Sequence, residues 1–213
     1  MTSTDSLAPS LTTRQRCLSC LRAQRSCICH WIAPVAPQVQ LLILQHPLEV
    51  SNAKGSARLL HLSLPGSRLE VGEAFPPEQL DAWLAPDRHN LLLYPDTAHD
   101  PSLGLATPPS LDPAWLEQVP AQALRLVVLD GTWRKSRKML YLNPLLQTLP
   151  RLPLRNTPPS HYLIRKAHLP DQLSTLEATV YALAQLEAAP QRYAPLMDAF
   201  DGFVAQQAAY ARS

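Results

Sequence analysis

Three apolar runs limit what this chain can fold into: Val39 to Gln45 (VQLLILQ), Asn90 to Tyr94 (NLLLY) and Leu124 to Leu129 (LRLVVL). A strand with one wet face alternates apolar and polar residues, whereas a short run without alternation signals a strand covered on both faces, as in a parallel sheet. Stretches of helical character separate and follow the runs, at Ala53 to Leu62, Pro77 to Leu84, Pro113 to Gln118, Arg134 to Leu142, Ser174 to Ala188 and Leu196 to Ala211. Strands alternating with helices predict an α/β domain with a parallel sheet, to which Tyr162 to Lys166 adds a late strand. There is no G-x-G-x-x-G and no G-x-x-x-x-G-K-[ST], and the chain has only six glycines, so neither a dinucleotide fold of the usual type nor a phosphate loop is supported.

In such sheets ligands bind outside the carboxyl ends of the strands. Those ends are His46-Pro47, Pro95-Asp96 and Asp130-Gly131, and one shared crevice is expected there. The most telling edge is Leu126 to Met139, LVVLDGTWRKSRKM, where the apolar run stops at Asp130, Gly131, Thr132 and Trp133. A helix follows with Arg134, Lys135, Arg137 and Lys138, and with Met139, Leu140 and Leu142 expected on its buried side. Asp130 can serve as a base or substrate orienter, or it can cap the next turn through the N–H of Thr132 or Trp133. Trp133 can stack on a ligand or act as a structural indole. His46 and Glu49 can likewise bind substrate or be satisfied structurally. Ser174-Thr175-Leu176-Glu177 fits a capping box, and the helix start it opens can also border the crevice and hold a carboxylate.

The net charge of +2 hides a segregation. Nine acids and a single Lys or Arg, Arg88, lie from Glu70 to Glu117, whereas Arg125 to His168 holds nine Lys or Arg residues against Asp130 alone. Residues 14 to 68 are also basic, with Glu49 the sole acid. Meeting in space, the two basic segments form a surface suited to a polyanion; apart, they are solvated faces of an ordinary enzyme. No apolar run approaches the roughly 20 residues that span a bilayer, and the opening MTSTDSLAPSLTT lacks the regions of a signal peptide. A cytoplasmic protein without membrane contact is expected, with no obligate protein partner evident.

All four cysteines fall in 13 residues, as Cys17-x2-Cys20-x6-Cys27-x-Cys29. In a reducing compartment such spacing points to a tetrahedral four-thiolate Zn²⁺ site, closed and structural. An iron-sulfur cluster or free thiols are the alternatives. This sets off a cysteine knuckle over residues 14–34 from a catalytic domain over 35–213. Arg14, Arg16, Arg22 and Arg25 surround it as candidate phosphate contacts, and Trp31 can offer an aromatic surface to a base or pack into the core.

Taken in order, Cys17-x2-Cys20 with Cys27-x-Cys29, Gln45-His46-Pro47-x-Glu49, Tyr94-Pro95, Asp130-Gly131-Thr132-Trp133 and Ser174-Thr175-Leu176-Glu177-Ala178 resemble the DTW-domain proteins over nearly the whole chain. Two places depart from that pattern: Ala23 stands where a proline is expected, and Lys54-Gly55-Ser56-Ala57-Arg58 replaces an Asn-Thr pattern. The family is similar to tRNA-uridine aminocarboxypropyltransferases. The resemblance implies a SPOUT-like α/β fold whose C-terminal trefoil knot holds S-adenosylmethionine. It also implies transfer of the 3-amino-3-carboxypropyl group to N3 of a tRNA uridine, in the variable loop, with release of methylthioadenosine.

On that reading Asp130 is the candidate base. Ser174, Thr175 and the helix start, with Glu177, anchor the amino-acid end of the cosubstrate. Leu44, His46, Tyr94, Pro95, Leu129, Gly131, Thr132 and Trp133 line the rest of its site. Arg165 and Lys166 join Arg134, Lys135, Arg137 and Lys138 as RNA contacts. An RNA methyltransferase on the same fold, and a non-catalytic zinc-knuckle RNA-binding module, are the competing functions.

Overall fold

A computed structural model describes residues 15–95, 107–155, 157–160 and 173–210. Five parallel strands form one sheet: β1 (Gln40–Gln45), β2 (Arg68–Val71), β3 (His89–Leu93), β4 (Leu124–Asp130) and β5 (Arg151–Leu152), in the order β2-β1-β4-β3-β5. Among the described residues seven α-helices accompany them: α1 (Ala57–Ser63), α2 (Pro77–Trp83), α3 (Pro113–Gln118), α4 (Trp133–Leu142), α5 (Pro144–Gln147), α6 (Thr175–Leu186) and α7 (Ala194–Tyr210). The α/β class with a parallel sheet is as expected. The late strand at Tyr162 to Lys166, and with it the expected knot, lie outside the described residues.

The unbroken runs are explained by two cores on opposite faces of the sheet. Successive residues of a strand point to opposite sides. Leu41, Ile43, Leu126 and Val128 pack on one side with Leu59 and Leu60 of α1, Leu176 and Val180 of α6, and Phe200 and Phe203 of α7. Leu42, Leu44, Val127 and Leu129 pack on the other with Leu80, Met139, Leu140 and Leu146. Every residue of β4 is buried as a result, including Arg125, whose guanidinium is held by Gln40, Asn90, the Ala85 carbonyl and Asp87.

Two strands were not visible in the sequence. β2, RLEV, is an edge strand of intermediate to exposed residues, so no apolar run marks it. β5 is two residues long, pairs only through Leu92↔Arg151 and Leu93↔Leu152, and buries Arg151 on the ring of Tyr94. Two helical expectations also need correction. The stretch from Ala53 does not begin α1. Asn52 instead folds residues 52–55 into a turn, its side-chain oxygen accepting from Lys54 N at 3.0 Å and its carbonyl from Gly55 N at 2.9 Å. On α4 the buried face is Ser136, Met139 and Leu140, continued by Asn143, whereas Leu142 is 37% exposed because it sits two residues, roughly 200°, around the helix from Leu140.

The cysteine loop is part of the fold's first core, to which Cys20 and Ile28 belong as fully buried members. Trp31 packs inward too, against Gly202 of α7, and donates from Nε1 to Gln206 at 2.6 Å. Gln206 donates in turn to the Cys27 carbonyl, and Tyr210 to that of Arg25. Among the described residues no helix is long and apolar enough to cross a membrane.

Candidate active site and cysteine centre

Strand order places β1 and β4 side by side at the centre of the sheet, with Gln45 in register with Asp130. The chain leaves β1 toward β2 and leaves β4 toward β5, on the opposite side, so the ends of the central pair form a topological switch point. His46 N extends the ladder by donating to the Asp130 carbonyl at 2.9 Å. Above this point opens a cleft of about 60 Å³, lined by Glu49, Asn52, Lys54, Gly55 and Ser56 on one side and by Asp130, Gly131, Ser174 and Thr175 on the other.

Asp130 is only 5% exposed, and it ties three elements together. Its Oδ1 accepts from Thr175 Oγ1 of α6 at 2.7 Å and its Oδ2 from Gln45 Nε2 of β1 at 2.8 Å. Capping of α4 falls to Thr132, whose hydroxyl accepts from Lys135 N at 3.4 Å. Gly131 lets the backbone pass close: a Cβ there would stand 3.1 Å from Lys135 Cβ and 3.7 Å from His46 Cβ.

The capping box at α6 is present. Ser174 Oγ accepts from Glu177 N at 3.2 Å, and Glu177 accepts from Ser174 N at 2.7 Å and from the Ser160 hydroxyl. Leu176 N donates to Ser56 Oγ at 3.2 Å. Among the described residues, three of the four orphan donors of this helix start have partners, and none is given to the Thr175 N–H. Glu177, fully buried, supports the helix start from within and does not line the cleft.

The other expected site residues divide by position. Leu44 and Leu129 are buried in the core on the α4 face of the sheet and are not among the residues that line the cleft. His46 is buried, with Nδ1 accepting from Leu48 N at 3.1 Å and Nε2 set against Glu73 Oε1 at 2.8 Å. An acceptor at Nδ1 requires the proton on Nε2, so this is a satisfied histidine that orders the β1 exit. Tyr94 is buried edge-on to Trp133, ring centroids 5.7 Å apart, while Trp133 itself is 48% exposed and Pro95, next to Tyr94 in the chain, is exposed. Both aromatics follow strand ends of the neighbouring β3 and β4, and neither is among the residues that line the cleft.

Ion pairs account for part of the basic helix. Lys135 reaches Glu49 at 2.7 Å, and Lys138 reaches Glu73 at 2.8 Å, while Arg134 and Arg137 are exposed. The bonds from Lys138 and His46 hold the Glu73 carboxyl below the ordinary range. Of the other basic candidates, Arg16 and Arg25 are exposed, and Arg22 is turned inward onto the carbonyls of Ala53 and Gly55. Arg14, Arg165 and Lys166 lie outside the described residues. Asn52, Lys54, Gly55, Ser56 and Glu73 were missed as site residues. The turn-forming composition of Ser51-Asn52-Ala53-Lys54-Gly55-Ser56 was the available signal.

The four cysteines converge, their sulfurs all within 4.8 Å of one another. Cys17 Sγ stands 3.5 Å from Cys29 Sγ, and Cys20 Sγ 3.8 Å from Cys27 Sγ. Leu21, at φ 61°, takes the left-handed turn that closes the first pair. Backbone donors at Cys20 and Ser19 hold the Cys17 thiol down at about 6, while burial and the neighbouring thiols push Cys29 up to about 12. Four sulfurs this close cannot all ionise unaided, and a divalent cation at their centre removes the repulsion. The donor set thus fits a tetrahedral Zn²⁺ site.

A family model described as DTW domain matches residues 14–208, which takes in the cysteine loop, the cleft and both C-terminal helices. The chain is 33% identical over 184 residues to a Drosophila melanogaster protein named tRNA-uridine aminocarboxypropyltransferase 2, covering 84% of this chain and 69% of that one. Proteins of the same name from Mus musculus and Macaca fascicularis are 32% and 28% identical over 182 and 180 residues. The chain spans 57% of the length of each of those two. No solved structure matches it. On the length of the family match and the Drosophila identity together, this chain belongs to the DTW domain family.

Proposed function

We propose that this protein is a tRNA-uridine aminocarboxypropyltransferase, which moves the 3-amino-3-carboxypropyl group of S-adenosylmethionine to N3 of a uridine in the variable loop. One observation carries the reading: the acid of the family's Asp130-Gly131-Thr132-Trp133 motif lines a cleft at the switch point of the sheet, in a chain related to proteins of that name. The reaction forms an N3–Cγ bond, breaks the Cγ–S bond, neutralises the sulfonium sulfur as methylthioadenosine leaves, and delivers the N3 proton to a base. Asp130 is the proposed base. Gln45 and Thr175 fix its plane, one donating a hydrogen bond to each oxygen.

The residues present suit the cosubstrate's amino-acid end, which carries one charge of each sign. Glu49 and Asp130 are acceptors for an ammonium, and Lys54 with the Thr175 N–H are donors for a carboxylate. With that end held in the cleft, the adenosine is taken along Thr132 and the Tyr94–Pro95 edge. Such a pose is the requirement for presenting Cγ rather than the methyl carbon, and positioning supplies most of the rate because the leaving group is already activated. Trp133 and the exposed Arg134 and Arg137 form the RNA side, a stacking surface beside cations. The SPOUT-like knot completing the cosubstrate site, a structural Zn²⁺ folding residues 14–34 onto the 35–213 domain, and a cytoplasmic setting belong to the same reading.

Incubating the protein with unmodified tRNA and S-adenosylmethionine and analysing the small-molecule product tests it. Methylthioadenosine is expected, and its formation should collapse in Asp130→Asn. S-adenosylhomocysteine would make the protein a methyltransferase, and tRNA binding without any turnover would make it a binding module.

A further inference from the structure

The arginine inside the cysteine loop faces inward. Arg22 lies between Cys20 and Cys27, and its guanidinium donates from Nη1 to the Ala53 carbonyl and from Nη2 to the Gly55 carbonyl, the latter at 2.8 Å. The stem of contacts continues across the ring of Phe203, 5.1 Å from the guanidinium carbon. A second tie runs the other way, Arg58 of α1 donating to the Ser19 carbonyl. The two carbonyls bound by Arg22 flank Lys54, and Lys54, Gly55 and Ser56 are cleft wall. Ser56 accepts from Leu176 N, and the next residue back, Thr175, donates to Asp130. A continuous set of hydrogen bonds thus leads from the cysteine loop through residues 53–56 to the start of α6 and the carboxylate.

We infer that Arg22 is a positioning residue through which the metal-folded cysteine loop sets the cleft wall at 52–56. A guanidinium fits the task because its planar fork reaches two carbonyls in fixed geometry, which an ammonium does not. The loop can present that fork only while its own backbone is closed, and four thiolates on a cation close it. Metal occupancy and cleft order are therefore linked, although no thiolate approaches the cleft. Arg22 accordingly contributes nothing to the phosphate contacts that the neighbouring Arg16 and Arg25 can make. The structural part stands without the proposed activity, while its effect on cosubstrate binding rests on that reading.

The test compares zinc-loaded wild type, Arg22→Lys, Arg22→Ala and the control Leu18→Ala, whose side chain is 93% exposed on the same loop. Metal content is measured first, and one equivalent is expected in all four. Amide hydrogen exchange is then followed at Asn52, Lys54, Gly55 and Leu176, each hydrogen-bonded in the structure. Loss of two charge-assisted bonds should speed exchange there on the order of tenfold or more in Arg22→Ala and less in Arg22→Lys, with Leu18→Ala unchanged. Stripping zinc should reproduce the faster exchange in wild type and add little in Arg22→Ala. S-adenosylmethionine titrated into the same proteins should bind more weakly to Arg22→Ala, with KM rising more than kcat falls. Unchanged exchange at residues 52–56, or a salt slope of tRNA binding reduced by one phosphate contact, would overturn the assignment. No S-adenosylmethionine binding to wild type, with exchange still altered, would sink the proposed activity and leave Arg22's role intact.

Discussion

Thr175→Val separates the scaffold around Asp130 from its chemistry. Valine matches the shape of threonine and removes the hydroxyl that donates to Asp130 Oδ1 at 2.7 Å, without touching the Gln45 bond to Oδ2. A hydrogen bond to a charged group contributes about 1.5–3 kcal/mol. In a chain of 213 residues, where 1 kcal/mol moves the melting temperature by about 2–4 °C, the loss should lower it by roughly 3–12 °C. Asp130→Asn perturbs the same pair differently. The threonine hydroxyl can rotate to accept from the new amide, so the folded state loses less than in Thr175→Val. Turnover, in contrast, should fall by about 10²–10⁴ in Asp130→Asn, because the proton acceptor is gone. Thr175→Val, which keeps the carboxylate, should lose far less activity. Calorimetric melts and methylthioadenosine release measured on both variants give the two rankings. A melting temperature for Thr175→Val within the scatter of wild type, or an Asp130→Asn that is the less stable yet the more active of the two, would refute the reasoning.

Further expectations concern residues away from that carboxylate. Gly202→Ala should destabilise by about 1–3 kcal/mol in urea titrations: helix propensity alone favours alanine, but its methyl would run into the Trp31 ring, a large rigid group locked in place by Gln206. Glu73→Gln tests the His46–Glu73–Lys138 cluster through pH. The folded-state carboxyl is held below its ordinary value, so its stabilisation is complete above roughly pH 4.3 and is lost as pH falls through the lower folded value. The gap between wild type and Glu73→Gln, measured by melts at neutral pH, should therefore close in acid. Arg134→Ala and Arg137→Ala should each weaken tRNA binding across sequences and reduce the salt slope by about one phosphate contact. Lys135→Ala should instead act through Glu49, its partner at 2.7 Å, and through the cleft wall.

What the sequence disclosed follows from how local each signal is. β1, β3 and β4 were legible because both faces of each are covered, which removes alternation. The RLEV of β2 carries no such mark, and β5 exists only because β3 offers it an edge. The cysteine cluster was legible from spacing alone, since all four cysteines lie in 13 residues. Asp130 was legible as a strand-end acid, but its partners Gln45 and Thr175 sit 85 and 45 residues away and were chosen by the sheet order. Arg22 shows the same limit from the other side. Beside three arginines and a cysteine loop it reads as a phosphate contact, and only the fold brings the Ala53 and Gly55 carbonyls within reach. The wall at 52–56 was hidden because the helical pattern of Leu59 and Leu60 was extended backward over a turn that Asn52 enforces.

Isotope transfer tests the proposed reaction most directly. The protein is incubated with unmodified tRNA and S-adenosylmethionine labelled either in the carboxyl carbon or in the methyl carbon, and the RNA is digested to nucleosides. Label from the carboxyl carbon should appear in a modified uridine, which should also arrest reverse transcription because N3 is blocked, and the methyl label should leave entirely with methylthioadenosine. Methyl label in the RNA without carboxyl label would contradict the account.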